Sequence, residues 1–129
     1  MNDLALSARY RVYNEYEVVV LLHPEGRLTV IGDFYGDPVC AVISPGEAWC
    51  AMGGAGLIIY FLKEPFEPYQ YNHTTDQWVE FGREKGDIWW IESLTAVSET
   101  RLVFMTDPSS PQAGTYHFDV VKGHIHKNV

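Results

Sequence analysis

Cysteine is scarce in this sequence, which holds two among 129 residues, Cys40 and Cys50. Two thiols cannot build the dense disulfide network on which small secreted scaffolds depend. The pair flanks a Ser-Pro-Gly-Glu turn at 44–47, and the length of that loop decides whether both side chains share one face of a hairpin. We predict two buried free thiols, because unpaired cysteine is among the most buried residue types.

Long apolar runs are missing as well. No run reaches the ~18 residues that a membrane-spanning helix needs. The first eleven residues, MNDLALSARYR, lack the basic start and the apolar core of a signal peptide. We therefore expect a cytoplasmic protein with reduced thiols and no membrane partner.

Positive charge is in short supply. Nine Lys and Arg residues stand against seventeen Asp and Glu residues, which gives a formal net charge of -8. Such a surface repels nucleic acid and anionic lipid at neutral pH. The negative net charge excludes nucleic acid as the expected partner. It favours a basic protein partner, unless the charge serves only to keep the protein soluble.

Motifs of catalysis are also lacking. No serine stands in a Gly-x-Ser-x-Gly elbow, and neither cysteine is flanked by a feature that lowers a thiol pKa. The Gly-rich stretch 53–56 precedes an apolar strand pattern rather than a helix, so it predicts a hairpin turn and not a phosphate cradle. Sequence alone cannot place two carboxylates across a cleft. We predict no catalytic residue and no cofactor.

Histidine is the remaining candidate for metal chemistry. His117, His124 and His126 lie near the C-terminus and His73 lies further upstream. Three imidazoles could hold zinc with an open position, but no pair has zinc-finger spacing and no His-Glu-x-x-His frame is present. We predict a polar, solvated tail over 122–129 and no metal site, with Ile125 as a possible pairing residue at a sheet edge.

Apolar runs separated by turn residues are abundant instead. Three runs at 39–43, 48–52 and 57–62 are divided by Pro-Gly and Gly-Gly, which predicts three antiparallel strands joined by tight turns. Further strands are predicted, by alternation or β-branched content, over 9–14, 15–22, 27–32, 87–92, 100–106 and 115–121. With 47% apolar residues, the chain predicts one globular domain over 1–129.

The blocks 39–62 and 88–121 both read as three strands. The first resembles a β-propeller blade over about 25 residues but lacks a Trp-Asp or Gly-His signature. Propellers typically have at least four blades of ~40 residues, and this chain could supply about three. We interpret the likeness as generic meander chemistry, with a subunit that completes a propeller by oligomerising as a further alternative.

A short helix is predicted over 75–85. Thr74 is followed three residues later by Gln77, as in a capping box, and Gly86 stands where a helix would end. The rival interpretation is a strand through Trp78–Phe81. The connection 64–75 has two prolines, three aromatics and no period, which predicts a loop lying over the domain.

The region 64–92 has the most specialised composition. It holds seven acids, two bases and seven aromatic residues. Aromatic rings supply rigid contact area, and carboxylates orient a basic partner. Trp89 and Trp90 would point to opposite faces of a strand, so one ring is exposed unless that strand is covered on both sides.

The predicted fold is therefore mainly β, all-β or α+β: a twisted antiparallel meander of about eight strands with one short helix near 75–85. The predicted function is a non-catalytic cytoplasmic protein-binding module, monomeric or homodimeric, and most concretely an immunity-type protein that neutralises a basic toxin or nuclease domain. The predicted contact surface consists of Glu64, Glu67, Tyr69, Tyr71, Asp76, Glu80 and Glu84. The alternative is a small-ligand-binding β-barrel or an unrecognised hydrolase, with a pocket lined by Tyr60, Trp89 and His117.

Overall fold

The structure of the chain, a computed structural model, describes residues 2–128. Within that range the protein is all-β, with fourteen strands and no helix. None of these residues therefore forms a helix long and apolar enough to cross a membrane. The prediction of a mainly-β fold is confirmed, whereas the expected number of about eight strands was too low.

Three antiparallel sheets and one ribbon make up the fold, and in each sheet the strands follow chain order. Sheet 1 consists of β1 (Asn2–Leu6), β2 (Arg11–Glu15), β3 (Val18–Leu22) and β4 (Leu28–Asp33). Sheet 2 consists of β5 (Cys40–Ile43), β6 (Trp49–Gly54), β7 (Gly56–Phe61) and β8 (Trp78–Phe81). The ribbon consists of β9 (Arg83–Glu84) and β10 (Asp87–Ile88). Sheet 3 consists of β11 (Ile91–Ala96), β12 (Arg101–Thr106), β13 (Thr115–Asp119) and β14 (Ile125–Lys127).

Sheet 2 lies between the other two sheets. One of its faces contributes Met52 and Ile58 to a core shared with sheet 1. Its opposite face contributes Ala51 and Ile59 to a second core shared with sheet 3. Because both faces are covered, β6 and β7 are buried along almost their whole length. This explains why they read as unbroken apolar runs rather than as alternating ones.

The three sheets approach one another most closely along their first strands. Strands β1 and β11 both come within 8 Å of β5, measured between Cα atoms. Packed sheets are on average ~10 Å apart. The three sheets therefore meet along their first strands and diverge from one another towards their last strands.

The helix predicted over 75–85 is wrong, and the rival strand is confirmed as β8, which pairs with β7. The residues that resemble a helix capping box instead form hydrogen bonds that stabilise an extended chain. Gln77 is buried, and its side-chain amide donates to the carbonyl oxygens of Phe61 and Lys63. The Thr75 hydroxyl accepts from the Gln77 backbone N–H. These bonds fix an extended entry into β8.

Gly82 then ends β8 with a φ of +68°. A Cβ at this position would lie 2.7 Å from the Cβ of Trp89, so both the turn and the close packing require glycine. The chain folds back into the β9–β10 ribbon where a helix would have continued.

The strand predicted over 87–92 is broken, which accounts for part of the error in strand number. Asp87–Ile88 pairs in the ribbon, and Ile91 begins β11 in sheet 3. Strand β1 was not predicted. The predicted tail is partly ordered, because β14 pairs with β13 and Ile125 lies opposite Phe118, as anticipated.

The two cysteines lie on opposite faces of sheet 2. Cys50 is buried in the core shared with sheet 1, whereas Cys40 is partly buried beside the core shared with sheet 3. Both thiols are free, as predicted. Burial raises the pKa of Cys40 to about 11 and that of Cys50 to about 12.

One end of the molecule is closed by internal polar bonds. We call it the turn end, formed by the hairpin turns 7–10, 44–48 and 97–100. The Glu47 carboxylate accepts from the Ser7 hydroxyl and from the backbone N–H and guanidinium of Arg9. Glu99 accepts from the Gly46 backbone N–H. Bonds between turns thus join all three sheets at this end.

Candidate binding surface at the loop end

The opposite end of the molecule carries the longer connections, and we call it the loop end. It comprises the β4–β5 loop (33–39), the β6–β7 turn at Ala55, the segment 69–73 and the connection 82–90. Three neighbouring clefts lie among these segments. Sequence reasoning had placed the specialised region along 64–92, and about half of it contributes to this end.

Arg83 holds the loop end together. Its Nη1 donates to the Ala55 carbonyl at 3.0 Å and its Nη2 to the Asp33 carbonyl at 2.6 Å. Its Nε lies 2.8 Å from Oε1 of Glu80, and its guanidinium carbon lies 4.7 Å from the centre of the Phe34 ring. Only 11% of the Arg83 side chain is exposed. The guanidinium is therefore used to join three loops, and is not available to a ligand.

The glycine-rich stretch at 53–56 makes room for Arg83. Gly56 has a φ of +93°, and a Cβ there would lie 2.4 Å from Cγ of Arg83. The predicted hairpin turn is confirmed, since Gly54 pairs with Gly56 across it. Glycine here lets the arginine stem run against the backbone.

Tyr69 and Glu80 extend the same network. The Tyr69 hydroxyl donates to Oε1 of Glu80 at 2.6 Å, and its backbone N–H donates to the Val30 carbonyl. Burial, reinforced by the hydrogen bond to Glu80, raises the pKa of the Tyr69 phenol above its usual range. The segment that carries the exposed Tyr71 is therefore anchored just before it leaves the core.

Three clefts share walls at this end. One of about 560 Å³ is lined by Phe34, Tyr35, Ala55, Tyr71 and Ile88 together with Asp33, Arg83 and Lys85. A second of about 460 Å³ shares Tyr71 and Arg83 with it. A third of about 350 Å³ shares Tyr35 and Ala55. The result is a continuous uneven surface, whose lining is mainly apolar in the first and third clefts and mixed in the second.

Large aromatic rings project from this surface. Tyr35 is 77% exposed, Tyr71 is 68% exposed and Trp90 is 43% exposed. Single exposed apolar side chains are ordinary, whereas several close together make this end a candidate interaction site. Tyrosine and tryptophan suit such sites because each joins an apolar ring to a polar atom.

Carboxylates dominate the charge around the rings. The walls of the three clefts hold two bases, Arg83 and Lys85, and seven acids. The acids are Asp33, Asp37, Glu80, Glu84, Asp87, Glu92 and Asp107. Within residues 2–128, the side chains of Asp37, Glu84 and Glu92 form no hydrogen bond or ion pair. This charge faces solvent and is not neutralised by the protein.

The seven residues that the sequence predicts as a contact surface do not form one patch. Three lie at the loop end: Tyr71, Glu80 and Glu84. Three line a separate cleft of about 500 Å³ along the segment 62–77: Glu64, Glu67 and Asp76. Tyr69 is buried, with 7% of its surface exposed.

Several of these predicted acids are already paired inside the protein. Glu64 lies 2.8 Å from the Arg27 guanidinium, whose hydrogen bond lowers the pKa of the carboxyl. Glu67 lies 3.2 Å from Nε2 of His73. Glu64 thus joins the segment 62–77 to the β3–β4 turn of sheet 1, whereas the contact of Glu67 lies within the segment. Asp76 and Glu84 remain as predicted acids whose side chains have no such partner in the part of the chain that the structure describes.

The structure adds residues that sequence reasoning missed. Tyr35 and Asp37 lie outside the region 64–92, although the aromatic centre of their loop was visible in the sequence. The argument on the adjacent tryptophans was sound. Trp89 packs 4.7 Å from the Phe81 ring, whereas Trp90 projects into solvent.

The trio proposed for the alternative pocket is not brought together. Tyr60 is buried in the core of sheets 1 and 2, and Trp89 packs against the core of sheets 2 and 3. His117 lies on the outer face of sheet 3, where its ring stacks on His126 at 5.2 Å. The strands form open sheets rather than the barrel of that alternative.

Metal-ligating side chains do not cluster in the described range. No group of three or more His, Cys, Asp or Glu residues among residues 2–128 could hold a metal ion. Two of the three C-terminal histidines meet, His117 and His126, because they lie directly opposite in β13 and β14.

No protein-family model matches the sequence, and comparisons with curated proteins and with solved structures return no match.

Proposed function

We propose that this protein is a non-catalytic module that binds a basic protein partner through the loop end. The observation that carries the proposal is the combination of Tyr35, Tyr71 and Trp90, all exposed, with unpaired carboxylates around them. Exposed rings supply contact energy, and the carboxylates supply long-range attraction and orientation.

The internal network makes this surface suitable for tight binding. Arg83 fixes the loop 33–39, the turn at Ala55 and the end of β8 relative to one another. A surface whose loops are already ordered loses little conformational entropy when a partner arrives. Rigidity of the loop end therefore favours affinity.

The most concrete form of the proposal is an immunity-type protein in the cytoplasm. A basic toxin such as a nuclease has a positively charged cleft for phosphates. Asp37, Glu84 and Glu92 would take the place of those phosphates, while the aromatic rings would seal the cleft against water. The partner would then lose access to nucleic acid without any chemical step.

Affinity capture with paired variants tests the proposal. Immobilised wild-type protein and two variants are exposed to lysate of the native cell, and bound protein is eluted with rising salt. The loop-end variant is Glu84→Lys with Tyr71→Ala, and the control is Asp76→Lys, an exposed acid on the other cleft. We expect one stoichiometric basic protein on the wild type and on the control, and at least tenfold weaker retention on the loop-end variant.

Equal retention on all three proteins would contradict the assignment of the surface. Retention of an acidic protein, with no dependence on salt, would contradict the electrostatic basis of the proposal.

A small molecule is the second candidate ligand, favoured by the cleft of about 560 Å³. Its volume lies within the range of ligand sites, and its floor is apolar. Heat stabilisation in a metabolite screen would support this function, provided that Ile88→Trp, which fills the cleft, removes the shift.

A further inference from the structure

Strand β3 has the composition of a strand that is covered on both faces. It reads VVVLL, as apolar as the central strands β6 and β7. Val19 and Leu21 face sheet 2 and are fully buried. The alternate residues, including Val20 and Leu22, point to the outer face of sheet 1, where no sheet of this chain lies. Strands with one solvent-exposed face normally alternate apolar and polar residues.

Further apolar side chains lie on that outer face, which we call face 1, together with the ion pair of Asp3 and Arg11. Cross-strand register places Leu28 opposite Leu22, and places Tyr13 and Val30 on either side of Val20. Tyr13 and Val20 are already buried within the chain, so the exposed part of face 1 lies around them. Leu28 is 58% exposed and Val30 is 38% exposed. Leu6, which lies opposite Arg11, is 67% exposed.

The outer face of sheet 3, which we call face 3, is the second sheet face that no other sheet of this chain covers. Met105 projects from it with 50% exposure, beside the partly buried Val103. The Nδ1 atom of His117 on this face is buried and has no hydrogen-bond partner in the described part of the chain. Face 3 is more polar than face 1, and the two faces are not alike.

The arrangement of the three sheets limits how face 1 and face 3 can be covered. Three sheets that spread from a shared first-strand edge leave two end faces open. Rings of radiating four-stranded sheets typically contain four to eight of them. Three sheets fall short of that range, whereas six sheets lie inside it.

We propose that two copies of this chain close a six-sheet ring, in which face 1 of each copy packs on face 3 of the other. Each contact joins two different faces, and a two-fold axis through the ring repeats it once. No unpaired end face remains. The loop ends of both copies lie on the same side of the ring, so the two binding surfaces act together.

The available area is sufficient. Four strands of about five residues, ~4.8 Å apart and rising ~3.3 Å per residue, form a face of roughly 19 by 17 Å. Two such contacts, counted on both partners, remove roughly 1,300 Å² from water, within the range of about 1,200–2,000 Å² found for specific interfaces.

Molar mass by light scattering tests the proposal. We expect wild-type protein at tens of micromolar to have twice the mass of the 14.7 kDa chain. Leu28→Arg on face 1 and Met105→Glu on face 3 should each give a monomer. Tyr16→Arg, at an 86% exposed turn position outside both faces, is the control and should remain dimeric. Circular dichroism checks that every variant is folded, which the exposure of all three side chains favours.

Mixing the two monomeric variants separates this ring from other dimers. In a mixed dimer one contact carries both substitutions and the other carries neither, so dimer should return. A monomeric wild type would overturn the proposal. A Met105→Glu variant that stays dimeric, or a mixture that stays monomeric, would also overturn it, because either result indicates a contact between like faces.

Discussion

The turn end and the loop end use the same residue types for different purposes. At the turn end, Glu47 and Glu99 accept hydrogen bonds from neighbouring turns and join the three sheets. At the loop end, Asp37, Glu84 and Glu92 have no such partner within residues 2–128. A count of acids therefore does not distinguish the two ends, whereas the pairing of those acids does.

Tryptophan substitution gives the largest expected contrast. Trp49 is 2% exposed, and its Nε1 donates to the Glu99 carbonyl at the turn end. Trp49→Ala should lower the free energy of unfolding by about 3–5 kcal/mol, from lost burial and the cavity left behind. Trp90→Ala at the loop end should change it by less than about 0.5 kcal/mol. Urea unfolding followed by circular dichroism measures both, and equal losses would mean that Trp90 is structural.

A second contrast lies within the loop end and compares its two bases. Arg83→Met removes a largely buried cation together with its hydrogen bonds to the carbonyls of Ala55 and Asp33, which should cost about 2–3 kcal/mol of unfolding free energy. Lys85 lines the same cleft but is exposed. Lys85→Met should therefore leave stability within about 0.5 kcal/mol of wild type.

The same urea measurement decides this case. A stability of Arg83→Met equal to that of Lys85→Met would show that the arginine network contributes nothing to the fold, and the argument for a rigid loop end would fail.

A third contrast concerns acid sensitivity. The Ser7 hydroxyl, followed by Arg9, lowers the pKa of Glu47 to about 2. A carboxyl whose pKa is lower when folded stabilises the protein above its unfolded pKa, about 4.5, and this contribution is lost as pH falls towards 2. Glu47→Gln should lower the melting temperature at pH 7. Between pH 5 and pH 2 the melting temperature of this variant should fall by less than that of wild type.

The matched control is Glu84→Gln, which removes an unpaired acid at the loop end. Melting curves between pH 2 and pH 7 should superimpose on those of wild type for this variant. A loss at pH 7 as large as that of Glu47→Gln would show that both ends use their acids alike.

Most of the strands could be predicted from the sequence because their signals are local. The apolar runs of β5, β6 and β7 and the Pro-Gly and Gly-Gly turns between them require no knowledge of tertiary contacts. The error over 75–85 arose because a helix cap and a buried glutamine use the same residue pattern. Gln77 bonds the carbonyls of Phe61 and Lys63, which lie fourteen and more residues away in sequence.

The candidate site was harder to predict because pairing between acids and bases is not visible in sequence. Glu80 and Glu84 are four residues apart and look equivalent, yet one is bound to Arg83 and Tyr69, whereas the side chain of the other forms no hydrogen bond or ion pair within residues 2–128. Tyr35 and Tyr71 are thirty-six positions apart and line one cleft. Their proximity depends on how sheets 1 and 2 pack.

The placement of the two cysteines has a practical consequence for chemical labelling. Each thiol lies against a core, and burial keeps the pKa of both near 11–12, so both react slowly with alkylating reagents at neutral pH. A single new cysteine at an exposed position, such as Tyr35→Cys, would therefore be modified selectively in the otherwise native sequence. Fluorophores or spin labels can be attached at the loop end one position at a time, without first replacing Cys40 and Cys50.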